Sequence, residues 1–115
     1  MSLITSIHTR LEHADVKVRE AAVKSLARVA EKGDERAITK VCARLEDSDS
    51  SVREAAVKAL AQMVEKGDER AIVNICACLE DEDWLVANAA VTALPRVAET
   101  GDERAIAHVC ARLEH

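Results

Sequence analysis

The sequence predicts an all-α fold, a solenoid of stacked antiparallel helix pairs with seven helices in 115 residues. Three observations predict it. Gly33-Asp34-Glu35-Arg36-Ala37-Ile38 returns letter for letter as Gly67 to Ile72 and again as Gly101 to Ile106, each copy 34 residues after the last. Exact recurrence at such a period is the signature of stacked repeats. Between the copies, apolar residues recur three and four apart, which is helical spacing. One Trp, no Phe or Tyr, three Gly and one Pro leave too few turn formers for a β-sandwich. Thin layers of Ala, Val, Leu and Ile must then do the packing.

Each hexapeptide reads as a joint between helices. Glycine adopts the left-handed conformation that ends one helix, and the aspartate after it caps the next. Asp34 accepts from the N–H of Arg36 or Ala37, and Glu35 sits in the first turn, where the helix dipole favours negative charge. Asp68 and Asp102 are expected to do the same.

In chain order, residues 1–13 form a partial repeat, followed by repeats at 14–47, 48–81 and 82–115, all in one domain spanning 1–115. Residues 2–12 make a first-type helix (A) on Ile4, Ile7 and Leu11. A second-type helix (B) follows at 16–32, capped by Asp15, with Val18, Ala22, Leu26 and Val29 on one side and Val23, Ala27 and Ala30 on another. Two apolar stripes imply two packing partners, the A helix of its own repeat and the B helix of the next one. Lys17, Glu20, Lys24, Arg28 and Glu31 fall on the wetted side. The A pattern returns at 35–46, 69–80 and 103–114, and the B pattern at 50–66 and 84–100. The last A helix has no B helix after it, and an open solenoid end stacks on something. Either a longer array or a homo-oligomer joined through the solenoid ends satisfies that requirement.

The letters that carry the repeat, Asp47-Ser48-Asp49-Ser50-Ser51-Val52-Arg53-Glu54-Ala55-Ala56 through Leu60 and then Gly67 to Ile72, resemble the HEAT-like repeats of the phycobilisome-lyase type. They also resemble engineered consensus arrays. The resemblance implies a right-handed superhelix whose B helices line a concave surface that holds protein partners. It further implies a ladder between repeats from Asp15, Asp49 and Asp83 to Arg19 and Arg53, ending at the third repeat, where Ala87 replaces arginine. By the same resemblance, three extra residues per repeat fall around Ala30-Glu31-Lys32, at the end of helix B.

The third B helix departs most from its siblings. Trp84 and Leu85 replace Ser50 and Ser51, Ala87 and Asn88 replace Arg53 and Glu54, and Thr92 replaces Lys58. On a surface register, Trp84 and Leu85 form an apolar contact patch; the alternative is that Trp84 folds back over the loop as a local lid. Pro95 stands where Ala27 and Ala61 stand, and a proline there removes a donor and crowds the carbonyl of Val91, which predicts a kink near 91–94.

Cys42, Cys76 and Cys110 share a column that begins with His8. Packed helices lie about 8–10 Å apart, too far for a disulfide between column neighbours, which needs α-carbons within about 7 Å, and too far for tetrahedral zinc. The cysteines are therefore read as reduced seam fillers, no metal and no cofactor are expected, and the chain is placed in the cytoplasm. Cys78 replaces the arginine of Arg44 and Arg112 and is expected to be the exposed, oxidisable thiol. His8, His13, His108 and His115 share no site, no phosphate loop or catalytic triad is present, and no catalytic residue is assigned. A net charge of −5 argues against tracking a phosphate backbone, and no run is long enough to span a membrane.

The function expected is thus that of a non-enzymatic protein-binding scaffold. Its partner-binding residues are Trp84, Leu85, Asn88, Thr92, Lys24, Lys58, Arg28 and Arg96. A bilin-lyase-like accessory that holds a tetrapyrrole is the second reading implied by the resemblance. Nucleic-acid binding is the weakest, because Glu20, Glu54 and Glu31 offset the basic side chains.

Overall fold

The computed structural model describes the backbone of residues 3–98 and the side chains of residues 6–98. Among the described residues, six helices alternate between the two types. The A helices are α1 (Leu3–Arg10), α3 (Glu35–Arg44) and α5 (Glu69–Cys78), and the B helices are α2 (Val16–Val29), α4 (Ser50–Met63) and α6 (Trp84–Val97). The expected count was seven. The A helix predicted at 103–114 lies outside the described residues, as do Asp102, His108, Cys110 and His115.

Aspartate starts every described helix from α2 onward. The side chains of Asp34 and Asp68 accept from the N–H of Ala37 and Ala71, both at 3.0 Å. Asp15, Asp49 and Asp83 cap the B helices by accepting from Lys17, Ser51 and Leu85. Each bond satisfies a donor that the first helical turn leaves open.

The helix ends differ from expectation. α2 and α4 stop at Val29 and Met63, three residues short, because Ala30 and Val64 turn into extended backbone. Glu31 to Asp34 and Glu65 to Asp68 then form four-residue turns closed by Asp34 N–H to Glu31 O and Asp68 N–H to Glu65 O, each at 3.1 Å. Gly33 and Gly67 take φ of +84° and +89° in the third turn position, which favours glycine. Their own N–H groups reach across to the next B helix, Gly33 to Met63 O and Gly67 to Val97 O, both at 2.7 Å. The three extra residues per repeat are therefore turn, not helix, and the glycine satisfies a helix-end carbonyl one repeat away. Pro95 leaves α6 the same 14-residue length as α2 and α4, so the expected kink does not interrupt it. It lies in the last turn on an exposed position.

Each A helix packs on the B helix that follows it, and the B helices form a continuous row, α2 on α4 and α4 on α6, which are the most extensive contacts. Burial by column separates the roles. Val52, Ala55, Ala59 and Met63 of α4, with Val86, Ala89, Ala93 and Val97 of α6, are all buried and face the preceding B helix. The same columns in α2, Val18, Ala21, Ser25 and Val29, have no described B helix before them and are partly or fully exposed. A second stripe, carrying Val23 and Ala27 in α2 and Val57 and Ala61 in α4, faces the following B helix. Ala22, Leu26, Ala56, Leu60, Ala90 and Leu94 are buried in every copy. The B helices thus have three packing directions where the apolar pattern suggested two. Val29, assigned to a packed stripe, is 38% exposed for want of that neighbour. The principal extents are 46 × 27 × 15 Å. Among the described residues, no helix is long and apolar enough to cross a membrane.

Candidate functional site

The ladder between repeats uses aspartates other than those expected. Arg19 donates through Nε and Nη2 to the two carboxylate oxygens of Asp47 at 2.9 and 3.1 Å, and Arg53 does the same to Asp81 at 2.9 and 3.2 Å. Asp15, Asp49 and Asp83 are occupied as caps. Two-point arginine–carboxylate pairing fixes direction as well as distance, so each rung locks a B helix to the loop that opens the next one. The remaining nitrogen of Arg19 donates to the carbonyls of His13 and Ala14, and that of Arg53 to the carbonyl of Asp47. Burial alone would raise the Asp47 carboxyl. The bonds from Arg19 and the Asp49 N–H, with the charges of Arg19 and Arg44, outweigh it and hold the group below the usual carboxylate range.

The ladder stops at the third repeat, as expected, although Ala87 is buried at 3% exposure and not on the surface. Sequence spacing held the signal for the true rung. Partners stand 28 residues apart; 28 beyond Ala87 is His115, and the aspartate column runs His13, Asp47, Asp81, His115. Arginine and aspartate are absent together. His13 keeps only the local task, its Nδ1 accepting from the Asp15 N–H at 3.0 Å as Asp47 accepts from Asp49.

The cysteine expectation is corrected too. Cys78 is buried at 7% exposure, and desolvation, with the charge of Asp81 adding to it, pushes its thiol up to about 11. The arginine column faces inward at this point, beneath the Arg53–Asp81 rung. Cys42 is half-buried, and its thiol is also raised by desolvation. Reactivity follows the thiolate, so native protein treated with iodoacetamide at pH 8 should leave Cys78 unalkylated until denaturant is added, as read by peptide mass mapping. His8, at the head of that column, has both ring nitrogens buried without a partner. Burial, with Arg36 and Lys40 nearby, lowers its pKa. Among the described residues, no group of His, Cys, Asp and Glu could hold a metal ion.

The side chains expected to bind a partner gather on the exposed side of the B helices. Lys58, Leu85, Asn88, Thr92 and Arg96 line a groove of about 250 Å³ between α4 and α6, with Glu54 beside Lys58 and a floor of Ala61, Ala89 and Ala93. Lys24, Arg28 and Lys58 line a second groove of about 250 Å³ between α2 and α4, over Ala27, Ala55 and Ala59. Lys58 belongs to both. Trp84 lines neither groove, but with Leu85 beside it at the start of α6 it is 71% exposed, and Leu85 is 52% exposed. Trp84 is open to solvent, not a lid.

With the geometry in place, comparison with known proteins is decisive for the family. A family model of HEAT repeats matches residues 4–94 and again 44–115, which together cover nearly the whole chain. The chain belongs to the HEAT-repeat family. Two crystal structures of engineered proteins share the fold. One has a TM-score of 0.65 at 25% identity over 97% of this chain, the other 0.63 at 23% over the same share. This HEAT-repeat chain spans about half the length of each, 52% and 51%. No curated protein matches it. HEAT repeats generally serve as protein-interaction scaffolds, which agrees with the role expected from the sequence.

Proposed function

We propose that this chain is a non-enzymatic scaffold that holds a protein partner on the solvent-facing, concave side of its B helices, with Trp84 and Leu85 as the apolar anchor. The carrying observation is the exposure of these two side chains, 71% and 52%, beside the groove between α4 and α6. Aromatic anchors beside a polar rim are where binding energy concentrates. The packing supports the choice of face. The B helices contact one another extensively, whereas α3 and α5 meet mainly through side chains, Arg70 to Glu35 at 2.9 Å and to Thr39 at 3.2 Å. Closer spacing on the B side supports reading it as the shorter, concave side of the stack.

The test is selection of binders from a random peptide library displayed on phage, mapped on the protein by amide hydrogen exchange. Protection should fall on α2, α4 and α6, and the double variant Trp84→Ser, Leu85→Ser should weaken binding at least about tenfold. Binders protecting α3 and α5 instead, or indifferent to the double variant, would overturn the reading.

A further inference from the structure

The B-helix face is a basic island on an acidic chain. Lys17, Lys24, Arg28, Lys58 and Arg96 are all exposed there, while the net charge of the whole is −5. The carboxylates between them are recessed. Lys24 is 60% exposed and its partner Glu20 19%, and Lys58 is 63% exposed and its partner Glu54 26%. These i,i+4 pairs, 3.0 and 3.1 Å long, hold the acids low and the ammonium groups forward. Among the described residues no ion pair holds Arg28 or Arg96. Glu31 and Glu65 lie beyond the grooves, in the turns that end the B helices. An approaching chain therefore meets positive charge first.

We infer that the occupant of this face is an acidic peptide segment, extended and running across the B helices, with an apolar residue at its α6 end. The inference rests on the B-face reading and specifies its partner. Adjacent B helices pack about 8–10 Å apart, and a chain in the extended polyproline-II conformation turns once every three residues with a rise of about 3.1 Å each, so every third side chain faces the protein and meets the next helix. Carboxylates three residues apart then face Lys24 and Lys58, and an apolar side chain about four further on reaches Leu85 and Trp84, about two turns nearer the start of α6 than the Lys58 column. The alanine floors of both grooves let a peptide backbone approach closely. In the column of Lys58, α6 carries Thr92, whose hydroxyl donates to the Asn88 carbonyl at 3.1 Å. Positive charge thus gives way to apolar surface along the peptide path, and this sets its direction. A nucleic acid fits less well. Its backbone carries a charge every 1.7 Å or so along a duplex, against five cations spread over three helices of an acidic protein.

Fluorescence anisotropy of the full chain with labelled Glu-Thr-Ser-Glu-Thr-Ser-Thr-Leu tests it. Binding should appear at about 50 mM NaCl and weaken about tenfold by 300 mM, as expected for exposed charges. Lys58→Glu, which removes the cation shared by both grooves, should weaken it a further tenfold or more, and Arg36→Glu on the exposed side of α3 should leave it unchanged. The same peptide with lysine for glutamate should not bind. Equal loss in both variants, equal binding of the lysine peptide, or tighter binding of a single-stranded DNA oligonucleotide would overturn the inference. If library binders map to the B face yet carry no acidic residues, the acidic-segment inference falls and the B-face reading stands.

Discussion

Replacing Asp47 with alanine should cost about 3 kcal/mol of unfolding free energy, measured by urea titration followed by circular dichroism. Its side chain is only 2% exposed and gathers Arg19 at 2.9 Å, Arg44 at 3.3 Å and the Asp49 N–H at 3.0 Å. Removal leaves two guanidinium groups and a backbone donor facing a void, and stranded charge costs more than the intact pair contributes. Asp81→Ala should cost less. Asp81 is 12% exposed and has Arg53 as its ion-pair partner, and Cys78 stands where Arg44 gives Asp47 its second cation. The same groups set an acid limit. Both carboxyls are held below their ordinary value, Asp47 and Asp81 alike, because arginine bonds outweigh the burial that opposes them. Their contribution is complete above the unfolded carboxylate value, about 3.9, and is lost as pH falls through the lower folded values. Wild type should lose stability below about pH 4, and Asp47→Ala should lose less over that range. An Asp47→Ala variant as stable as wild type at neutral pH would remove the ladder from the account of what joins the repeats.

Val52→Asp should unfold the chain or cost more than about 4 kcal/mol, whereas Val18→Asp should stay within about 1 kcal/mol of wild type. The two sites share a column, each three residues after its capping aspartate, so any local benefit of a carboxylate in the first turn is common to both. What differs is the neighbour. Val52 has no exposed surface, closed in where α4 packs on α2, while Val18 stands where no described B helix precedes α2. Thermal melts of the two variants compare them directly. Equal loss at both sites would mean that helices of one repeat, and not stacking between repeats, hold the fold.

The sequence was most legible where a local signal has a local cause. Asp15, Asp34 and Asp68 stand where the pattern predicts caps, and they are caps, since a side-chain oxygen meets an N–H two or three residues on without help from elsewhere. The ends of α2 and α4 were less legible, because Glu31, Lys32, Glu65 and Lys66 are good helix formers. What stops the helix is a turn whose glycine bonds to a carbonyl in the next repeat. The ladder was readable as arginine and aspartate but not as which aspartate, for Asp47 and Asp49 are two residues apart and only burial separates cap from rung. Cys78 departs from expectation for the same reason: its column is polar elsewhere, and only the Arg53–Asp81 rung beside it shows that the column faces inward.

The letters alone determined the 34-residue period, the alternation of helix types and the point where the ladder breaks, because each is written in residue identity and spacing. Only the tertiary structure decided which of the equivalent valines are covered, which carboxylate takes the guanidinium, and that lysines stand forward of glutamates on the B face. Those outcomes depend on what lies beside a residue across the stack. Copies spelled almost alike acquire different environments when one has a neighbour on both sides and another on one.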